Sequence, residues 1–359
     1  MLELNDGKRI IPTIVFPDGS LLVEPSDAEL ARKLGLQLRA ERSFFDLIVI
    51  GGGPTGLTAS MYAAREGIDA LVLDESALGG QAGITERIDN YPGFPEGIEG
   101  AQLAARIIAQ AMRYEVTLLS AVGVTGIRRQ DDYLLVQTDQ GDEYCAHSVL
   151  IATGSSYRRL GVPGEEELIG AGIHFCATCD GPFYRGAEEL LVIGGGNSGL
   201  EEGMFLSRFA ERIRIVEYLP ELKASAILQD NVRNDPKFTV HLNTQITAFE
   251  GAGGTLKVVR AVDRGTGEKL VFEPAAAFVF VGLDPNTGFL QGAVETDAMG
   301  FVTTQPTFET SMSGVFAAGD VRAGSTKQLG AAIGEGITAL IHIRQYLERL
   351  GDVHEHEIG

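Results

Sequence analysis

Two short apolar runs, far apart in the chain, each lead directly into a glycine-rich turn. The first run, Phe45–Ile50, precedes Gly-Gly-Gly-Pro-Thr-Gly, and the second, Leu190–Ile193, precedes Gly-Gly-Gly-Asn-Ser-Gly. A largely apolar run of this length with glycine at its boundary is typical of a buried strand, and a helical segment follows each turn. The sequence therefore predicts a strand–turn–helix unit that occurs twice.

Each unit continues into a second apolar strand that ends in an acidic residue. Asp74 follows Gly51 by 23 residues, and Glu217 follows Gly194 by the same 23. Such glycines allow a tight turn and close approach of a pyrophosphate, and the acid binds a ribose hydroxyl. One G-x-G-x-x-G is weak evidence, but two copies with the same downstream acid favour two dinucleotide sites over two ordinary glycine turns. The candidate phosphate-binding residues are Gly51, Gly53, Pro54, Thr55 and Gly56 in the first turn and Gly194, Gly196, Asn197, Ser198 and Gly199 in the second.

The remaining pattern predicts how the two units are joined. Gly314–Asp320 is a short apolar strand that ends in Gly-Asp, and the segment from Ala331 to Leu350 has helical periodicity. Alternating segments within Val116–Val149 and Phe238–Phe280 indicate a β-meander in each half. The predicted fold class is α/β, with two Rossmann-like dinucleotide-binding domains, the second inserted in the first, each with a β-meander.

Charge and hydropathy exclude some classes of function. The formal net charge of −20 disfavours nucleic acid and anionic membranes as partners, because both are polyanions. No apolar run approaches the roughly 18 residues that span a bilayer. Met1–Arg9 also lacks the order of a signal peptide. We therefore expect a cytoplasmic protein with no membrane or nucleic-acid partner.

The cysteines indicate redox chemistry. Cys176 and Cys179 form a C-x-x-C pair, and Asp180 follows directly, where a carboxyl group can act as general acid and base for a thiol. A zinc site normally needs four ligands and only one such pair is present, so metal is disfavoured; an inert buried pair is a further alternative. Cys145, the third cysteine, is expected to be a buried strand thiol.

These motifs occur in the order of the low-molecular-weight thioredoxin reductases, and the sequence resembles that family from Asp46 to Leu350. Further landmarks are Gly79–Gln81, Asn90–Phe94, Ile151–Gly154, Cys176–Gly181 and Gly314–Asp320. The resemblance implies FAD at the first glycine turn, a nicotinamide at the second, a homodimer, and a large rotation between the two domains.

The resemblance also implies roles for individual residues. Cys179 would face the flavin, and Cys176 would exchange with a thioredoxin- or glutaredoxin-like protein disulfide. The family usually has arginine where this chain has Lys327. Beyond the first turn, the implied FAD-binding residues are Asp74, Gly80, Gln81, Asn90, Gly154, Gly319, Asp320, Lys327, Gln328 and Leu329.

The second dinucleotide unit departs from the family pattern. Members that use NADPH carry a His-Arg-Arg run after the second strand, whereas this chain reads Glu217-Tyr218-Leu219-Pro220. A carboxylate repels the 2′-phosphate of NADPH and suits a free ribose hydroxyl, so NADH is favoured over NADPH.

The N-terminal residues lie outside the reductase pattern. Gly7–Ser20 resembles the second half of a glutaredoxin-like module, and Ser26 to Leu36 is expected to be its last helix, with Ser26 as N-cap and Glu29 three positions on. Such a piece is too small to build its own core. It is either a remnant packed on the reductase, which we favour, or part of a longer fusion.

Three hypotheses for function follow. The leading one is a thioredoxin-disulfide reductase that passes electrons from NAD(P)H through FAD to the Cys176–Cys179 disulfide. The second keeps the flavin and disulfide but uses ferredoxin, another flavoprotein or oxygen, and the third is a flavin redox sensor. The expected organisation is a partial glutaredoxin-like extension at 1–42, an FAD-binding domain at 43–158 and 285–350, an NAD(P)-binding domain with the C-x-x-C motif at 159–284, and a tail at 351–359.

Overall fold

The computed structural model describes residues 12–85, 88, 91–175 and 177–357. Backbone contacts divide the chain into two compact units. The first contains the described residues up to Ile84, those from Ile88 to Ser155, and those from Pro285 onward. The second contains Ser156–Asp284 together with Thr85.

A short hairpin and one helix precede the first glycine turn. They are β1 (Thr13–Val15), β2 (Leu21–Val23) and α1 (Asp27–Lys33). The predicted cap is confirmed, because the Ser26 hydroxyl accepts from the Glu29 N–H and the Glu29 carboxylate accepts from the Ser26 N–H. The helix ends before the expected Leu36, since Gly35 adopts a left-handed φ of 73°. Gly7–Ile11 of the glutaredoxin-like stretch lie outside the described residues.

The first unit then runs to the segment that enters the second. Its elements are β3 (Phe44–Ile50), α2 (Pro54–Arg65), β4 (Ala70–Leu73), α3 (Gly80–Ile84), α4 (Gly100–Met112), β5 (Thr117–Leu119), β6 (Val124–Gln130), β7 (Tyr133–Thr138) and β8 (Glu143–Ile151). The next strand, β9 (Ser155–Tyr157), begins at the last residue of this segment and continues into the second unit.

The second unit contains the second glycine turn. Its elements are α5 (Glu165–Leu168), β10 (Ile173–His174), α6 (Ala177–Asp180), β11 (Ala187–Ile193), α7 (Asn197–Leu206), β12 (Ala210–Val216), α8 (Ala226–Asn234), β13 (Phe238–His241), β14 (Thr244–Ala252), β15 (Thr255–Asp263), β16 (Lys269–Phe272), β17 (Ala276–Val279) and β18 (Leu283–Pro285). The chain returns to the first unit with β19 (Val315–Ala317) and α9 (Leu329–Glu357).

The sheet of the first unit has a parallel core. Its order is β5-β4-β3-β8-β7-β6, and β19 also pairs with β8. Leu47, Ile48 and Val49 are fully buried, because α2 and α9 cover one face of the sheet and the meander strands β6 and β7 pack on the other. The first half of β8 pairs with β7 and its second half with β19, so one strand joins the predicted meander to the parallel core.

The second unit repeats this plan. Its parallel sheet has the order β10-β17-β11-β12-β13, and β14, β15 and β16 form an antiparallel sheet. The two meanders are therefore shorter than the alternating segments suggested, because β5, β13 and β17 join parallel sheets instead. The side chains of β17 are buried, whereas those of β5 and β13 are mostly half-buried, and alternation alone does not tell a meander strand from such a core or edge strand.

None of the helices among the described residues has the length and apolar character needed to cross a bilayer. The cytoplasmic location stays a prediction.

Candidate dinucleotide sites and redox segment

The first glycine turn is an open cradle at the start of a helix. Gly53 is the N-cap of α2, and Pro54 occupies its first turn, so the free N–H groups of the helix end face the turn. A Cβ on Gly56 would lie 2.0 Å from the Gly51 carbonyl oxygen, whereas one on Gly53 would meet nothing closer than 3.9 Å. Gly56 is thus required by packing, and Gly53 leaves space that a phosphate can enter.

Asp74, at the end of β4, holds this turn in place through hydrogen bonds. Its Oδ2 accepts from the Gly52 N–H at 2.6 Å, and its Oδ1 accepts from the Ser76 N–H at 2.9 Å. The expected ribose acid therefore also holds the glycine loop. Each carboxylate oxygen has two lone pairs, so acceptor capacity for a ribose hydroxyl remains.

Other residues expected at the FAD site lie around the same turn. Gly80 begins α3, and a Cβ there would lie 3.0 Å from the Gly53 Cα; a Cβ on Gly319 would lie 2.4 Å from the Thr55 Oγ1. Gly154 has a left-handed φ of 69° just after β8, and Gln81 lies within α3. Asn90 lies outside the described residues.

The Gly-Asp loop after β19 contains a buried polar atom without a partner. Asp320 Oδ1 is inaccessible to solvent and makes no hydrogen bond within the described residues. Burial, together with the nearby Glu335 carboxylate, raises the pKa of Asp320. A buried acceptor left unpaired is costly, and a ligand hydroxyl such as those of the FAD ribityl chain would satisfy it. The first site therefore fits FAD in its glycine cradle, its ribose acid and this acceptor.

An ion pair that sequence reasoning missed supports this loop. Glu335 on α9 accepts from the Gly319 N–H at 2.8 Å and pairs with Arg322 at 2.6 Å. An acidic residue inside the otherwise apolar start of α9 was the available signal. Lys327 donates through its ammonium to the backbone oxygens of Asp320 and Arg322, so it too holds the loop, and Leu329 opens α9 after Gln328.

The second glycine turn repeats the first. Gly196 is the N-cap of α7, and a Cβ there would meet nothing within 4 Å, whereas one on Gly199 would lie 1.9 Å from the Gly194 oxygen. Asn197 Oδ1 accepts from the Ser225 N–H at 2.7 Å and so joins the turn to α8; Ser198 is the next residue of α7. The turn is thus open to a phosphate at the same position as in the first site.

Glu217 occupies the position that Asp74 has in the first unit. Its side chain is buried, and its two oxygens accept from the N–H groups of Gly195 at 2.5 Å and Leu219 at 2.8 Å. The carboxylate therefore lies against the second glycine turn, and this position fits the ribose of a nicotinamide dinucleotide.

A cation that is distant in sequence contacts Tyr218, the residue after this acid. The Arg264 guanidinium stacks on the Tyr218 ring at 3.7 Å and donates to the Tyr218 carbonyl oxygen at 3.0 Å. No sequence signal pointed to Arg264, because only the fold brings the turn after β15 to the end of β12. Of the cations near in sequence, Arg214 pairs with Glu189 at 2.8 Å and Lys223 with Glu221.

The redox segment lies between β10 and β11. Cys176 lies outside the described residues, and of Cys179 the structure describes only the backbone, within α6. Asp180, the last residue of α6, has its Oδ2 3.3 Å from the His174 Nδ1. Cys145 lies on β8 as expected but is half-buried, and burial raises the pKa of its thiol, which makes it a poor nucleophile.

Comparisons with known proteins agree with this geometry. The family model described as pyridine nucleotide-disulphide oxidoreductase matches residues 45–336. The thioredoxin reductase of Bacillus subtilis is 36% identical over 87% of this chain and 97% of its own, and that of Mycolicibacterium smegmatis is 38% identical over 86% and 99%.

Solved structures show the same likeness. The thioredoxin reductase of Lactococcus lactis in its FR conformation matches with a TM-score of 0.77 at 34% identity, over 85% of this chain and 99% of that one. The thioredoxin reductase of T. acidophilum matches with a TM-score of 0.76 at 32% identity, over 86% of this chain and 100% of that one. The predicted fold class is thereby confirmed.

Proposed function

The chain belongs to the thioredoxin reductases of the pyridine nucleotide-disulphide oxidoreductase family, and on this premise we propose the path of its electrons. They pass from NAD(P)H through FAD to the Cys176–Cys179 disulfide and then to a thioredoxin- or glutaredoxin-like protein. The observation that carries this proposal is the pair of open glycine cradles, each fastened by an acid at the same spacing.

The two cofactors have separate sites in this proposal. Gly51–Gly56, Asp74 and Asp320 would hold FAD, and Gly194–Gly199 with Glu217 would hold the nicotinamide dinucleotide. When bound, FAD supplies the link between hydride donation by a nicotinamide and thiol chemistry at a disulfide. The remaining FAD contacts that the family pattern implies, Asn90 among them, are part of the same proposal.

The chain itself supplies the thiols and a proton. The Cys176 thiolate attacks one sulfur of the substrate disulfide, so that a mixed disulfide forms and the substrate S–S bond breaks. The leaving thiolate takes a proton from the Asp180 carboxyl group. Cys179 then attacks Cys176, which releases the reduced substrate and closes the Cys176–Cys179 disulfide.

NADH is the proposed nicotinamide. Glu217 presents a carboxylate beside the second cradle, and the 2′-phosphate of NADPH would face it. Arg264 is the nearby cation that opposes this preference, but its guanidinium is already held on the ring and carbonyl of Tyr218. The balance of the two charges favours the free 2′-hydroxyl.

We also propose that the active form is a homodimer, since the family pattern implies one. Light scattering should then give twice the chain mass of 38.3 kDa, and a mass equal to one chain would contradict it.

An anaerobic titration tests the electron path. Purified protein should contain FAD, and stepwise addition of NADH should bleach the flavin absorbance, with NADPH less effective. Oxidised thioredoxin added afterwards should restore the colour. Colourless protein that takes up no FAD would overturn the proposal; bleaching only by reduced ferredoxin would replace the electron donor.

A further inference from the structure

A buried histidine connects the acid after the cysteine pair to a tyrosine. The His174 side chain is only 6% exposed, and its Nδ1 lies 3.3 Å from Asp180 Oδ2. On the other side of the ring, Nε2 lies 2.7 Å from the Tyr184 hydroxyl oxygen. Asp180 ends α6, and Tyr184 ends the short 3₁₀ turn Gly181–Tyr184. His174 therefore contacts both ends of the segment that follows Cys179.

Aromatic packing fixes the orientation of the imidazole. The Phe278 ring on β17 lies 5.2 Å from the His174 ring, and the Tyr184 ring meets both at 5.4 and 6.0 Å. β10 and β17 pair in parallel, with His174 opposite Phe278. The ring cannot turn without breaking this packing, so its two nitrogens keep their separate partners.

The chemistry of Tyr184 assigns the proton on His174. Burial, together with the Asp180 carboxylate, raises the pKa of Tyr184, so the phenol keeps its proton. When the hydroxyl donates to Nε2, the ring proton lies on Nδ1, which faces the Asp180 Oδ2 that can accept it. A histidine whose second nitrogen is fixed in this way orients its carboxylate partner, as acid–histidine pairs do in other enzymes.

Among the described residues, the titratable groups in contact with this histidine are Asp180 on α6 and Tyr184 on the 3₁₀ turn. The helix that packs against α6, α7, carries a further carboxyl group, Glu202. Burial raises the pKa of Glu202 to about 7. Asp180 itself is about one-third exposed, at 30%, so water can reach the carboxyl group.

We propose that His174, held by Tyr184, is a positioning residue that orients the Asp180 carboxyl group for proton transfer to the departing substrate thiolate. This inference rests on the proposed role of Asp180 in the disulfide exchange. In that step the new S–S bond forms at Cys176, the substrate S–S bond breaks, and the proton moves from Asp180 to the leaving sulfur. The resulting carboxylate accepts the Nδ1–H of His174 and regains its proton from water.

Separate half-reactions of the intact holoenzyme provide the test. The flavin is first reduced by the nicotinamide, and the reduced enzyme is then mixed with oxidised thioredoxin. His174→Leu should slow the second half-reaction by about 100-fold, the cost typical of a misplaced reacting group. It should leave the first half-reaction and the FAD content unchanged. His174→Asn, whose amide N–H can replace the Nδ1–H, should recover most of the rate.

A double variant distinguishes positioning from general disruption. If His174 acts only through Asp180, then His174→Leu in an Asp180→Asn background should cause no further loss. His241→Asn, a matched substitution elsewhere in the second unit, should leave the exchange rate unchanged and serves as the control. Tyr184→Phe should slow the exchange less than His174→Leu, because packing still orients the ring.

The variants give different results depending on which part of the proposal is wrong. An unchanged rate in Asp180→Asn would remove the acid and with it the proposed proton transfer. A slow Asp180→Asn with a normal His174→Leu would overturn the role of His174 alone. Additive losses in the double variant, or a His174→Asn as slow as His174→Leu, would also overturn it.

Discussion

At the scale of single residues, each glycine turn contains one glycine needed by the fold and one needed by the ligand. The third glycine of each motif, Gly56 or Gly199, packs directly on the carbonyl of the first. The second, Gly53 or Gly196, has open space and an extended backbone that alanine can adopt. Stability and cofactor binding can therefore be separated by substitution.

We predict that Gly196→Ala folds normally but binds the nicotinamide poorly, because its methyl group would occupy the space for the pyrophosphate. Gly199→Ala should lower the free energy of unfolding by about 1–3 kcal/mol through overpacking. Urea unfolding and KM for NADH measure the two effects. A Gly196→Ala variant with normal KM would contradict the assignment of the second cradle.

Asp320 gives a prediction that depends on pH. Its folded pKa is raised, so the stability linked to its protonated form is complete below the unfolded value of 3.8 and is lost as pH rises through the folded pKa. Asp320→Asn stays neutral. The apoprotein of this variant should therefore be more stable than wild type at pH 7, with a gain that shrinks as pH falls toward 4.

The same variant should bind FAD less tightly. A hydrogen bond from a ribityl hydroxyl to a charged acceptor is worth about 1.5–3 kcal/mol, more than one to a neutral amide. Urea unfolding of the apoprotein across pH and FAD titration measure the two changes. Unchanged stability at pH 7 together with unchanged FAD affinity would show that Asp320 does not face the flavin.

Glu217 and Arg264 give a prediction about nicotinamide choice. Wild type should have the higher kcat/KM with NADH, and Glu217→Gln should reduce this preference by removing the charge while keeping an acceptor for the loop. Glu217→Arg should reduce it further if the variant folds. The charge argument is wrong if wild type prefers NADPH by about tenfold or more, or if neither substitution alters the preference.

At the scale of elements, the N-terminal hairpin and α1 are weakly attached to the first unit. Ala31 is buried and Arg32 bonds to Gln140 at 2.8 Å, but a cleft of about 700 Å³ separates the start of α1 from the Glu75–Ser76 turn. The stronger anchor comes later, where Ala40 donates to the Tyr144 hydroxyl at 3.0 Å.

Deletion of residues 1–36 should therefore leave FAD binding and disulfide reduction intact. The lost burial is small, so the unfolding free energy should fall by less than about 2 kcal/mol. Ser26→Ala, which removes only the helix cap, should cost about 1 kcal/mol and serves as a milder control. If the deletion abolishes activity, the segment is not a passive remnant.

The elements around the glycine turns were the part that the sequence predicted well. Strand, turn, helix and acid are encoded locally, since their spacing follows from the turn that a pyrophosphate needs. The contacts of Arg264 with Tyr218 and of Glu335 with Gly319 were not predictable, because each joins residues that only the tertiary fold brings together. The alternating segments did not show which strands join the parallel sheets, because the tertiary fold also sets the strand pairing.

At the scale of the whole molecule, the same arrangement of sheet, glycine turn and acid occurs twice in the chain. Each unit has a parallel sheet, an open glycine cradle and an acid that fastens it, and the redox segment lies within the second unit. Because β9 and β18, at the two crossings between the units, pair with each other, the second unit is inserted at one place in the first. A substitution in one cradle should therefore leave the other cofactor bound.

The central claim is that electrons leave through the cysteine pair. The most direct measurement is NADH consumption with oxidised thioredoxin, in single serine variants of the three cysteines. Cys176→Ser and Cys179→Ser should each abolish turnover with FAD retained, and Cys145→Ser should keep nearly the wild-type rate. Turnover that survives in both pair variants, or is lost only in Cys145→Ser, would contradict the account.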